Sequence, residues 1–136
     1  APKPDNLRVR DSRRVLVQGN TFNPRQFVRP GTIHFQGCHD CVIANSTLHR
    51  FATEEGAIVL DGCSGFSLTG LNLSECGSGI VLRDTSDVTI VGCRIGKTEG
   101  GSDVVVEPSC RQVVLEGNLF QGRLDLDPAA VAKPAP

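Results

Sequence analysis

Apolar positions along this chain fall in short alternating pairs, not in helical stripes. Leu7/Val9, Ile33/Phe35, Ile58/Leu60, Ile80/Leu82 and Val104/Val106 are each i, i+2 pairs, so both side chains lie on one side of an extended strand. A second set follows: Val15/Val17, Cys41/Ile43, Phe66/Leu68, Val88/Ile90 and Val113/Leu115. A third apolar position then recurs at Phe22, Leu48, Leu73, Ile95 and Phe120. Aligned on Val15, Cys41, Phe66, Val88 and Val113, successive frames are 26, 25, 22 and 25 residues apart. Gly, Asp, Asn and Ser cluster between the apolar pairs, as turns require. No window keeps a helical period, and the β-branched residues favour strands.

A repeat of this length, with two or three short strands per unit, predicts an all-β fold: a right-handed parallel β-helix of about five coils. Each coil pairs with the next at about 4.8 Å along the axis, and equivalent residues stack into ladders. A coil cannot bury its own apolar face, so its stability comes from its neighbours. Leu124/Leu126 opens a sixth coil that a Pro-rich stretch cuts short. The expected organisation is a Pro-rich tail at 1–6, the β-helix at 7–127 and a Pro/Ala-rich tail at 128–136. The strict hexapeptide repeat of a left-handed β-helix is absent.

Val17-Gln18-Gly19-Asn20-Thr21-Phe22, Gly79-Ile80-Val81-Leu82, Val88-Thr89-Ile90-Val91-Gly92-Cys93-Arg94-Ile95 and Leu115-Glu116-Gly117-Asn118-Leu119-Phe120 resemble the repeat of the pectate-lyase-like superfamily. The resemblance spans roughly residues 7 to 126. It implies the right-handed fold but no single activity, since lyases, hydrolases, epimerases, tailspikes and structural proteins share it. Asn20 and Asn118 match the family's turn position, which implies a left-handed backbone there. Ser46, Leu71 and Cys93 interrupt that Asn ladder. The basic and multi-Asp cluster of a pectate lyase or polygalacturonase has no counterpart here.

The repeat also places the residues that could carry chemistry. Asp61, Arg83 and Glu107 share one column just after the first strand and alternate in sign, which predicts a salt-bridge ladder. Asp61, Glu107 and the turn residue Asp84 are the candidate catalytic carboxylates, as acid, base or calcium ligands, with Arg83 to bind a uronate. Cys38 and Cys41 form a C-x-x-C, but the frame puts Cys38 in a corner column with Ser12, Cys63, Thr85 and Cys110. Packing is therefore expected, with no metal or cofactor; Cys38 and Cys63, on adjacent coils, are the candidate disulfide. His34 is expected to face outward, and His49 to sit in a turn. No Ser-His-Asp geometry is expected from the register.

Charge and the outer faces change the picture more. The total is -1, from 14 basic and 15 acidic residues, which gives no reason to expect a nucleic-acid partner. Yet residues 1–50 carry 8 basic and 3 acidic groups, and residues 51–136 carry 6 and 12. In a solenoid, position in sequence maps onto position along the axis, so the rod should be positive at its N-end and negative at its C-end. Arg8, Arg10, Arg13 and Arg14 form the basic end, a candidate surface for an anionic polysaccharide or for the acidic end of another copy. Outward positions Val59, Val81 and Val105 form an apolar stripe, the candidate lateral interface. The chain has no Trp or Tyr on which a sugar ring could stack. No apolar run is long enough to span a membrane. Ala1 in place of Met is expected to be either a mature N-terminus after signal removal, hence a secreted or envelope location, or the boundary of a domain excised from a longer chain. Together these features point to a non-enzymatic structural β-helix that self-assembles head to tail into a filament. The alternatives are an enzyme acting on acidic polysaccharide and an anionic-glycan-binding module.

Overall fold

The computed structural model describes residues 7–22, 32–50 and 55–132. The first coil holds β1 (Leu7–Arg10), β2 (Leu16–Gln18) and β3 (Thr21–Phe22). The second holds β4 (Ile33–Gln36), β5 (His39–Ala44) and β6 (Thr47–His49); the third, β7 (Ile58–Asp61), β8 (Ser64–Thr69) and β9 (Asn72–Ser74). The fourth holds β10 (Ile80–Arg83), β11 (Ser86–Val91) and β12 (Arg94–Gly96); the fifth, β13 (Val104–Val106), β14 (Arg111–Glu116) and β15 (Leu119–Phe120). β16 (Leu124–Leu126) starts a sixth.

Equivalent strands of successive coils pair in parallel and form three sheets. The first sheet runs β1-β4-β7-β10-β13-β16, the second β2-β5-β8-β11-β14 and the third β3-β6-β9-β12-β15. Register follows the apolar columns: Val17 pairs with Ile43, Ile43 with Leu68, Leu68 with Ile90 and Ile90 with Leu115. Leu48, Leu73 and Ile95 stack likewise in the third sheet. These inward ladders are the core, and in the middle coils they are fully buried.

The corners explain the rest of the repeat. Gly19, Asn45, Gly70, Gly92 and Gly117 occupy one corner column, and all have positive φ. The left-handed residue therefore stands one place before Asn20 and Asn118, which corrects the family-based expectation. The two asparagines serve through their side chains. Asn118 Oδ1 accepts from the Cys93 N–H (2.8 Å), and its Nδ2 donates to the Ile90 carbonyl (2.8 Å), tying coil five to coil four. Asn20 Nδ2 donates to the Gln18 carbonyl. Gly65 is held by two constraints at once: its φ is +68°, and a Cβ there would lie 2.6 Å from Asp40 Oδ1 of the coil below.

The C-terminal boundary also differs from expectation. Residues 128–132, read as tail, fold back as a partial rung on the second sheet. Val113 N–H donates to the Ala130 carbonyl (3.0 Å), and Ala132 N–H donates to the Val113 carbonyl (2.8 Å). Ala130 is fully buried. The turn forms because Asp127 Oδ2 accepts from the Ala129 and Ala130 N–H groups. The expected tail at 1–6 lies outside the described residues.

Candidate functional site

The acidic column is assembled as a ladder and not as a catalytic cluster. Arg83 Nε donates to Glu107 Oε2 at 2.9 Å, with both side chains partly exposed. Asp61 stands beside Arg83 in register on the coil below. Asp84 is exposed in the following corner at φ +47°, and its backbone N–H donates to Ser109 Oγ. No group of three or more His, Cys, Asp or Glu side chains converges on a metal position among the described residues. A single partly exposed pair of this kind is worth about 0–1 kcal/mol, mainly as a register marker.

Five of the six cysteines are corner donors, and Cys41 lies within β5 in the inward core column. All six are buried and free, so Cys38 and Cys63 are not joined, contrary to the candidate disulfide. The reason is where the thiols point. Cys38 Sγ donates to the Val9 and Gln36 carbonyls, and Cys63 Sγ to those of Phe35 and Asp61. Each thiol thus serves the strand of its own coil and the strand below. Thr85 does the same work with a hydroxyl, donating to Leu60 and Arg83 carbonyls. Cys110 repeats the downward bond to Leu82. Burial pushes the Cys41, Cys63, Cys93 and Cys110 thiols above their ordinary value, which makes them poor nucleophiles.

The valine stripe is not a free surface. Val59 is 0% exposed and Val81 4%, while Val105 is half-buried. The segment entering β7 packs over them: a Cβ on Gly56 would sit 2.7 Å from Val81 Cγ2 and 3.4 Å from Val59 Cγ2. Val59 and Val81 are therefore closed to a second chain, and Val105 alone does not make a lateral stripe. The chain's own backbone covers the first two.

Among the described residues, β1 and β16 are the edge strands of the first sheet. Arg8, Arg10, Arg13 and Arg14 are all exposed on the first coil, where β1, β2 and β3 are edge strands. At the other end β16 is the edge, with Leu124 40% exposed and Asp125 exposed. One column runs Leu7, Ile33, Ile58, Ile80, Val104, Leu124, and the next runs Arg8, His34, Val59, Val81, Val105, Asp125. The column that starts at Arg10 passes Gln36, Asp61 and Arg83. Its frame continues through Glu107 to Asp127, whose N–H groups donate to Leu82 and Val106 of the coils below. Two outward columns thus begin with arginine and end with aspartate.

One constellation went unseen in the sequence. His49 is the last residue of β6, not a turn residue, and lies in register with Ser74 of β9. His49 Nδ1 is 2.8 Å from Ser74 Oγ, and His49 Nε2 is 3.1 Å from Glu75 Oε2. This Ser-His-Glu arrangement corrects the expectation that register brings no such group together. The available signal was spacing: Ser74 follows His49 by one coil. His39 and Ser64 repeat it, with Nδ1 to Oγ at 2.7 Å. Glu75 was not legible, because it reaches His49 only through its left-handed corner at φ +55°.

A family model described as a right handed beta helix region matches residues 4–123. No curated protein and no solved structure matches the chain.

Proposed function

The chain belongs to the right-handed β-helix family, and from that premise we propose that it is a structural β-helix that stacks head to tail on further copies of itself. The observation that carries the reading is the match in charge and apolar pattern between the two edge strands of the first sheet. If the ladder continues in the same register, β16 of one copy meets β1 of the next. Leu124 then adjoins Leu7 and Leu126 adjoins Val9, which extends the inward apolar columns. On the outer face Asp125 meets Arg8, and Asp127 meets Arg10. Opposite charges directly across a ladder contribute roughly 0.2–1 kcal/mol each, so charge selects the partner while the backbone ladder and apolar contact hold it. The contact joins different surfaces and does not close, so it grows as a filament. A secreted or envelope setting is part of the same reading, and burial would keep the six thiols from oxidants there.

The test is the mass of the full chain in solution against concentration and salt, by light scattering. Mass should rise with concentration at low ionic strength and fall at about 0.5 M salt, where the Debye length is only a few ångström. A monomer under every condition contradicts the proposal. If that monomer binds polygalacturonate in a salt-sensitive way, the basic coil is a glycan surface instead.

A further inference from the structure

The outer face of the third sheet carries a grid of side chains that the stacking model does not use. Thr47, Asn72 and Arg94 share one column, continued by Leu119. Two residues along, His49, Ser74 and Gly96 share the next. Ser74 therefore has an imidazole on the coil below and a glycine on the coil above.

The protonation pattern at Ser74 follows from the partners. An ionised Glu75 carboxylate can only accept, so the hydrogen of His49 sits on Nε2 and donates to Oε2 at 3.1 Å. Nδ1 then presents a lone pair to Ser74, whose hydroxyl donates to it at 2.8 Å. Glu75 fixes the tautomer and ring orientation that make His49 a base toward Ser74. His49 is 30% and Glu75 41% exposed at the side chain, so a solute can reach the group.

The side of Ser74 away from His49 is also arranged. Gly96 leaves a slot where any other residue would place a Cβ, and that Cβ would overlap the Gln121 amide oxygen. Gly96 lies directly above Ser74, the Gln121 amide oxygen packs against Gly96 from the coil above that, and the exposed Arg94 stands in the adjacent column. The base lies beside the hydroxyl, as acyl transfer requires of a serine nucleophile.

We infer that Ser74 is the nucleophile of an acyl-transfer site, with His49 as its base and Glu75 as the residue that positions His49. The substrate class is a short-chain acyl ester of a hydroxylated compound, matched to an open polar face. Ser74 Oγ bonds to the ester carbonyl carbon while its proton passes to His49 Nδ1. The ester C–O bond then breaks, and the leaving alkoxide takes that proton to become the alcohol. Water attacks the acyl-serine with His49 as base again, releasing the carboxylic acid and restoring the serine hydroxyl. The sum is ester plus water giving acid plus alcohol.

The test uses the full chain with a fluorophosphonate label and with p-nitrophenyl acetate. Peptide mass mapping of the wild-type protein should place the label on Ser74, a result that needs no variant to fold. Ser74→Ala, checked by circular dichroism, should lose ester turnover to background, and His49→Ala should fall at least ~100-fold. Glu75→Gln should lower kcat by at least ~10-fold with little change in KM, because the tautomer is no longer fixed. Ser64→Ala, which removes the second His–Ser pair, should keep the wild-type rate. No label on Ser74, or equal turnover by wild type and Ser74→Ala, overturns the inference. Equal loss in Ser64→Ala and Ser74→Ala overturns it too.

Discussion

The third coil and the terminal coils use the same residue types at the same strand positions, yet they are buried to different depths. In the third coil Ile58, Leu60, Phe66, Leu68 and Leu73 are all at or below 1% exposure. In the first and fifth, Leu7, Val9, Val15, Leu115 and Phe120 are only partly buried. What separates them is the neighbour. A middle residue is covered above and below by its own column, while a terminal one is covered on one side. Burial in a solenoid is a property of the stack, and a rod whose ends carry core residues has a reason to meet another rod.

The largest expected effect compares the two regions directly. Leu68→Ala removes a side chain enclosed by Ile43 and Ile90 and should cost about 2–5 kcal/mol in a denaturant titration. Leu115→Ala, in the same column at its end, should cost less than half as much, because the site is already partly open. Equal losses would mean that the column does not set the energetics.

The next effect belongs to the buried thiols. Folding raises the thiol pKa of Cys41, Cys63, Cys93 and Cys110 above the ordinary 9.0, burial being the main cause. Above pH 9 the unfolded chain gives up these protons while the folded chain keeps them. The stability they carry is therefore complete below pH 9 and lost as pH climbs through it. Denaturation midpoints compared at pH 8 and pH 10 should fall at the higher pH. Replacing the four thiols by serine should flatten the fall, and an unchanged slope would contradict this account. The smallest effect is Arg83→Ala, which removes the Glu107 pair and should cost no more than about 1 kcal/mol. A larger loss would show that the acidic column does more than mark register.

Much of the fold was legible because period-2 apolar pairs recurring at one spacing leave little freedom. Val17, Ile43, Leu68, Ile90 and Leu115 superpose as the repeat requires. The corner column of Ser12, Cys38, Cys63, Thr85 and Cys110 was legible too, since each is small and able to donate. What escaped depends on chain direction at the corners. Gly56 crosses over Val59 and Val81, and residues 128–132 fold back onto Val113; neither follows from strand periodicity. Glu75 meets His49 because a left-handed corner redirects it, although alternation alone would send it inward. Of the site residues, the arginines of the first coil are exposed, whereas Val59 and Val81 are covered and Cys38 and Cys63 stand unjoined.

End-to-end stacking is tested most directly by mixing two charge-reversed chains. Arg8→Asp places aspartate opposite Asp125, and Asp125→Arg places arginine opposite Arg8, so each variant alone should remain monomeric in light scattering at low salt. Mixed in equal amounts, each end of one variant finds its opposite on the other, and the mass should rise to that of the wild type. A mixture that stays monomeric while the wild type assembles, or single variants that assemble as well as the wild type, would contradict the stacking of β1 on β16.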